Sequence, residues 1–182
     1  MEIVPIFAKH LFAVRYDEDD PDEFEKLFTQ WSDIEYLEEF FETHKRDIEN
    51  GFYRNTTVED AVFITKDQAS QLEQKLKQLS TFPIKSLPES LDRLFRPLDK
   101  NLTENELAKS KAYGFPSPSW LRVYAIKVSQ ETFIVTGGAI KLTQYMSERD
   151  HTAIELRKLN RTIDFLKEQG IIDREGFEEL EF

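Results

Sequence analysis

The sequence predicts an α+β fold in which helices pack on one side of an antiparallel sheet, and three observations carry that expectation. Residues 120–146, WLRVYAIKVSQETFIVTGGAIKLTQYM, read as strands: Trp120, Arg122, Tyr124 and Ile126 alternate with Leu121, Val123 and Ala125. Residues 22–80 and 152–169 instead place apolar residues at helical spacing. Fifteen Phe, and 40% apolar residues in a chain of 182, supply enough material for one core of ordinary size.

The elements follow in order. Residues 3–16 read as a first strand, with Pro5 near its start and Phe12, Val14 and Tyr16 alternating with Ala13 and Arg15. The run Asp17-Glu18-Asp19-Asp20-Pro21 stops it and sets carboxylates at the positive end of a helix that carries Phe24, Leu27, Phe28 and Trp31. Ser32-Asp33-Ile34-Glu35 reads as a capping box for a second helix, which runs to Ile48 and closes at Asn50-Gly51. Thr57-Val58-Glu59-Asp60 opens a longer helix to about Ser80, with Leu72, Leu76 and Leu79 as its seam. The proline-punctuated residues 82–88 divide an acidic helical part, 1–81, from a β-hairpin core, 82–182, on which the first part should pack rather than fold alone.

Residues 87–95 predict a short helix, and Thr103-Glu104-Asn105-Glu106 caps another. Gly114-Phe115-Pro116-Ser117-Pro118 is a rigid lead into the hairpin. Residues 120–128 and 132–136 pair around the Ser129-Gln130-Glu131 turn, and Gly137-Gly138 permits a sharp turn or a bulge that re-aims the chain into a third strand, 139–145, that carries Lys141. Thr152-Ala153-Ile154-Glu155 caps the last helix, whose stripe is Leu156, Leu159, Ile163 and Leu166 and whose end is Gly170.

Composition excludes several function classes. No cysteine is present, which removes disulfides, thiolate metal sites and cysteine nucleophiles together. No apolar run is long enough for a membrane span, and the first residues lack the basic start of a secretory signal, so the expected place is the cytoplasm. His10, His44 and His151 show no metal-ligand spacing, and neither a calcium loop, a P-loop nor a hydrolase elbow occurs, so neither metal nor cofactor is expected. The net charge is −11, and residues 1–60 hold 17 acidic against 6 basic side chains. Residues 85–167 hold 14 basic against 10 acidic, which leaves a locally basic half able to meet phosphate.

Arg122 and Tyr124 share one strand face, where an Arg fork suits phosphate and an ordinary polar sheet face reads the same. Lys141 follows two glycines, a cation beside accessible backbone N–H groups, so Arg122 and Lys141 are expected close together on one sheet. Arg93, Arg96 and Lys100 form a basic cluster before the hairpin.

The pieces Arg96-Pro97-Leu98, Leu121-Arg122-Val123-Tyr124 and Gly137-Gly138-Ala139-Ile140-Lys141-Leu142-Thr143 resemble, in order and spacing, the C-terminal half of RelE/HigB-like toxins of bacterial type II toxin–antitoxin systems, their phage-derived branch included. The resemblance covers roughly residues 82–166. It implies a metal-independent endoribonuclease acting on messenger RNA at the ribosome, by attack of a 2′-hydroxyl on the adjacent phosphate. Arg122 and Lys141 would stabilise the developing charge. Tyr145 would stack on a base or move a proton, and Arg93, Arg96, Lys100 and Lys127 would hold RNA. The implied partner is a small antitoxin, often with a helix-turn-helix. Two other readings stand beside it: a non-enzymatic interaction scaffold that keeps a toxin-like sheet, and a small-anion site around Gly137, Gly138 and Lys141. The acidic first third is a candidate to cover the basic face within the chain.

Overall fold

The computed structural model describes residues 1–7, 9–51, 53, 55–81, 90–98, 107–129 and 131–178. The α+β class holds. Among the described residues, six strands form one sheet in the order β1 (Glu2–Phe7), β2 (Leu11–Arg15), β6 (Thr132–Ile140), β5 (Leu121–Ser129), β4 (Ala108–Tyr113), β3 (Arg96–Pro97). Every pairing is antiparallel except that of β2 with β6, where Leu11, Phe12 and Ala13 lie beside Phe133, Ile134 and Val135.

The helices are α1 (Glu23–Ser32), α2 (Ile34–Thr43), α3 (Lys45–Asn50), α4 (Val58–Thr81), α5 (Leu91–Leu94), α6 (Asp150–Glu168) and α7 (Arg174–Glu178). Local chemistry sets their starts. The Asp22 carboxylate accepts from the N–H groups of Phe24 and Glu25 at 2.9 and 3.0 Å, and Thr57 Oγ1 accepts from Asp60 N–H at 3.0 Å. Asp33, in extended conformation, ends α1 and caps α2 through Glu35 and Tyr36 N–H, so the cap is Asp33 rather than the serine before it.

The helices lie on both faces of the sheet, which corrects the one-sided expectation. Leu11, Ala13, Leu121, Val123, Ala125, Phe133 and Val135 turn to one face and pack with Phe24, Trp31, Leu37, Phe41 and Leu72 of α1, α2 and α4. Phe12, Val14, Tyr124, Ile126 and Ile134 turn to the other, beneath Leu159 and Leu166 of α6 and Phe177 of α7. Strands whose two faces are both apolar have to be covered twice. Each large side chain buried this way contributes roughly 1.5–3 kcal/mol, so an uncovered face would be costly. Residues of 1–81 and of 82–182 share the first of these clusters, so the acidic part is built into the core.

Other corrections concern single elements. Residues 3–16 are not one strand but the hairpin of β1 and β2, reversed through Lys9 at φ 76°. The second predicted helix breaks at His44 into α2 and α3. Residues 103–106 lie outside the described ones, and the segment after them is the strand β4, where buried Ala108, Ser110 and Ala112 alternate with Lys109, Lys111 and Tyr113. β6 runs straight through the glycine pair, and no third strand follows it. An extra residue, Thr136, is inserted between the Ala125–Val135 and Tyr124–Gly137 pairs. Gly137 adopts φ 149°, and a Cβ there would collide with the Glu155 carboxylate. A Cβ on Gly138 would lie 2.7 Å from both Arg122 O and Leu27 Cδ1. Of the turn and the bulge expected at this pair, the bulge is present; the glycines admit close neighbours and do not turn the chain into a third strand. On α6 the buried residues are Thr152, Glu155, Leu159, Thr162 and Leu166, while Leu156 is exposed, so the inward face includes an acid.

Candidate functional site

The end of the sheet where β4 and β6 finish and β5 begins gathers cations. The register pairs Arg122 with Tyr113 on one side and Ala139 on the other, and cross-strand partners share a face. Lys141 lies two residues beyond Ala139, so it joins the same face as the period-two reading requires. The Arg122 guanidinium sits 4.0 Å from the centre of the Tyr113 ring, and its Nη1 donates to Ser119 O and Leu121 O at 2.7 Å each. Lys141 Nζ donates to Thr143 O at 2.6 Å and Gln144 O at 2.5 Å. Carbonyl oxygens position both cations, and no carboxylate bonds to either among the described residues.

Two cavities meet at Arg122. One, of about 720 Å³, is lined by Arg46, Tyr53, Arg122, Lys141 and Arg149, with Asp47 and Glu148 as its acids. The other, of about 460 Å³, is lined by Tyr53, Arg93, Arg96, Tyr113, Phe115 and Arg122. Arg122 and Tyr53 belong to both walls, so the cavities form a continuous basic groove with aromatic sides. Lys111 and Arg96 also approach the Tyr113 ring, at 5.6 and 5.7 Å.

The acids in the groove are engaged. Arg149 grips Asp47 in a fork, Nε donating to Oδ2 at 2.7 Å and Nη2 donating to Oδ1, and this holds the Asp47 carboxyl below its usual range. Glu148 accepts from the backbone N–H of Tyr145. Burial lowers the Lys141 ammonium, and the charges of Arg122 and Lys111 lower it further. That cluster of like charge is what an anion would relieve.

The structure brings Arg122, Lys141, Arg93 and Arg96 to one groove; the sequence reading placed Arg122 beside Lys141 and left Arg93 and Arg96 as a separate cluster. Two candidates stand apart. Lys127 lies five residues along β5 on the opposite face from Arg122 and is ion-paired to Asp92, because an odd separation in a strand reverses direction. Tyr145 is 62% exposed in the loop after β6 and lines neither cavity. Lys100 lies outside the described residues. The acidic first third does not cap the groove with carboxylates. Among its described residues, Asp47 is the acid it contributes there, and Arg149 already holds that one.

Arg46, Tyr53, Lys111, Tyr113 and Arg149 belong to the site and escaped the sequence reading. The alternation Lys109-Ser110-Lys111-Ala112-Tyr113 is the signal for the strand residues among them. Arg46 is distant in sequence from the hairpin, Arg149 follows Lys141 by only eight positions, and neither carries such a mark. No helix among the described residues is long and apolar enough to cross a membrane, and no group of metal-ligating side chains occurs among them. The chain matches no protein-family model, and no curated protein or solved structure matches it significantly. The RelE/HigB resemblance therefore rests on the motifs and their spacing.

Proposed function

We propose that this protein binds single-stranded RNA along the groove, with phosphates against Arg122, Lys141 and Arg46 and bases against Tyr113 and Phe115. The observation that carries this reading is Arg122: it joins two cavities, stacks on an aromatic ring and bonds no carboxylate among the described residues, in a chain whose net charge is −11. Cations spaced along a groove follow a sugar–phosphate chain, and aromatic faces accept any base. Fluorescence anisotropy with a short labelled RNA tests it. The Arg122→Ala/Lys141→Ala double variant should lose at least about tenfold in affinity, and its salt slope should fall by about 0.7 for each phosphate contact removed. Wild type that fails to bind at low salt, or a double variant that binds equally well, would reject the reading.

A second reading adds cleavage, as in RelE/HigB-like toxins, with Arg122 and Lys141 stabilising the charge that develops on the phosphate. The lowered Lys141 ammonium beside Arg122 favours it, since a site of concentrated positive charge gains most when negative charge builds. A small antitoxin covering the groove would be its partner. If this reading holds, induced expression arrests bacterial growth and the double variant, folded, does not. A folded wild type that leaves growth unchanged leaves the binding scaffold as the function.

A further inference from the structure

The loop before β5 is fastened to α4. Thr65 and Gln68 lie three residues apart on that helix, so they share a face, and both are buried. Trp120 Nε1 donates to Thr65 Oγ1 at 2.8 Å. Gln68 Nε2 donates to Pro116 O at 3.2 Å, and Ser119 Oγ donates to Gln68 Oε1 at 2.6 Å. A carbonyl such as Pro116 O only accepts, so it takes the amide nitrogen and leaves the amide oxygen to the Ser119 hydroxyl. With its proton given to Gln68, that hydroxyl accepts the Leu121 N–H at 3.1 Å. Gly114 makes room for it, since a Cβ there would lie 2.4 Å from Ser119 Oγ.

The same loop carries the oxygens that place the cations of the groove. Ser119 O accepts from Arg122 Nη1, and Trp120 O accepts the backbone N–H of Lys141 at 2.7 Å. The other acceptor of Arg122 Nη1, Leu121 O, belongs to β5 and is set by the strand ladder. Ser119 precedes Leu121, the first paired residue of β5, so its own side-chain bonds set its carbonyl instead. Gln68 lines neither cavity of the groove, so any effect it has on a ligand runs through Ser119 and Arg122.

We propose that Gln68 is a positioning residue for the groove: through Ser119 it holds the Arg122 guanidinium over Tyr113, where the two cavities meet. The proposal rests on the reading that Arg122 meets phosphate. A guanidinium on a long flexible stem costs affinity when it must be ordered at the moment of binding, and a preformed carbonyl clamp removes that cost. α4, from the acidic first part of the chain, thereby sets the aim of a cation in the second.

Anisotropy with the labelled RNA, on wild type, Gln68→Met, Arg122→Ala and the variant carrying both, tests the proposal as a cycle. Methionine keeps the length and apolar stem of the side chain and removes both bonds. Gln68→Met alone should weaken binding about three- to tenfold and lower the salt slope by about 0.7. Beside Arg122→Ala it should change affinity by less than about twofold. Equal weakening in both backgrounds would mean a structural role alone and overturn the proposal, as would no weakening by folded Gln68→Met. Ser119→Ala runs the same cycle if Gln68→Met does not fold. Heteronuclear NMR of the Arg122 guanidinium in the free protein, assigned by its loss in Arg122→Lys, separates this proposal from RNA binding itself. Resolved Nη signals that average in Gln68→Met support the clamp even if no RNA binds. Signals already averaged in wild type, or unchanged by the substitution, overturn it.

Discussion

Glu155→Gln is expected to stabilise the protein at about pH 8 and to leave it nearly unchanged at about pH 5. Burial is the largest cause that raises the Glu155 carboxyl, from 4.5 to about 7; Lys158 opposes it and Glu23 adds to it. Across that interval the folded chain holds a proton that the unfolded chain has released, so stability falls as pH rises. The contribution of this group is complete below about pH 4.5, the unfolded value, and is lost as pH passes through about 7. At 1.36 kcal/mol for each pH unit, the interval corresponds to about 3 kcal/mol, an upper figure for the gain from removing the charge. Glutamine keeps an acceptor for Lys158, which also retains Glu23. Denaturant midpoints of both proteins at the two pH values provide the measurement. A variant less stable than wild type at the higher pH would show that Lys158 outweighs burial.

Trp120→Ala should cost about 3–5 kcal/mol, the range for removing a large aromatic side chain from a core. Trp120 is 2% exposed, its Nε1 donates to Thr65 Oγ1 at 2.8 Å, and its ring meets Phe41 and Tyr53 edge-on at 5.6 and 4.8 Å. It thus ties α4 and α2 to the start of β5 and braces Tyr53, which walls both cavities of the groove. Trp120→Phe refills most of the space but strands the Thr65 hydroxyl oxygen, at a cost of about 1–2 kcal/mol. Chemical denaturation with an unchanged m-value would read both. A loss below about 1 kcal/mol for the alanine variant would mean that the surroundings collapse into the hole, and the groove would then be braced elsewhere.

The cation groove was partly legible before any fold was known. Arg122 in a period-two strand and Lys141 after two glycines point to one face because alternation is a property of the backbone itself. The same rule, applied through Lys127, excludes it from that face. β4 was misread because small residues alternating with lysines and a tyrosine give little apolar signal, and its neighbours carry helix-capping residues. Glu155 was misread as part of a cap because a Thr-x-x-Glu spacing marks helix starts and says nothing of which way the residue will face.

Local chemistry in the sequence determined the helix starts at Asp22 and Thr57, the end of α6 at Gly170, the strand alternation around Arg122 and the uneven charge. Each depends on residues within a few positions of one another, so each is decided before the chain folds. The tertiary structure decided the parallel pairing of β2 with β6, the covering of both sheet faces, the meeting of Arg46 and Arg149 with Lys141, and the burial of Glu155 against Glu23. The β2–β6 pairing, the meeting of Arg46 with Lys141 and the burial of Glu155 against Glu23 join segments about a hundred residues or more apart, and the free energy of the packing comes from surface removed from water across the whole sheet. No window of sequence contains both partners, so only the packed chain specifies them.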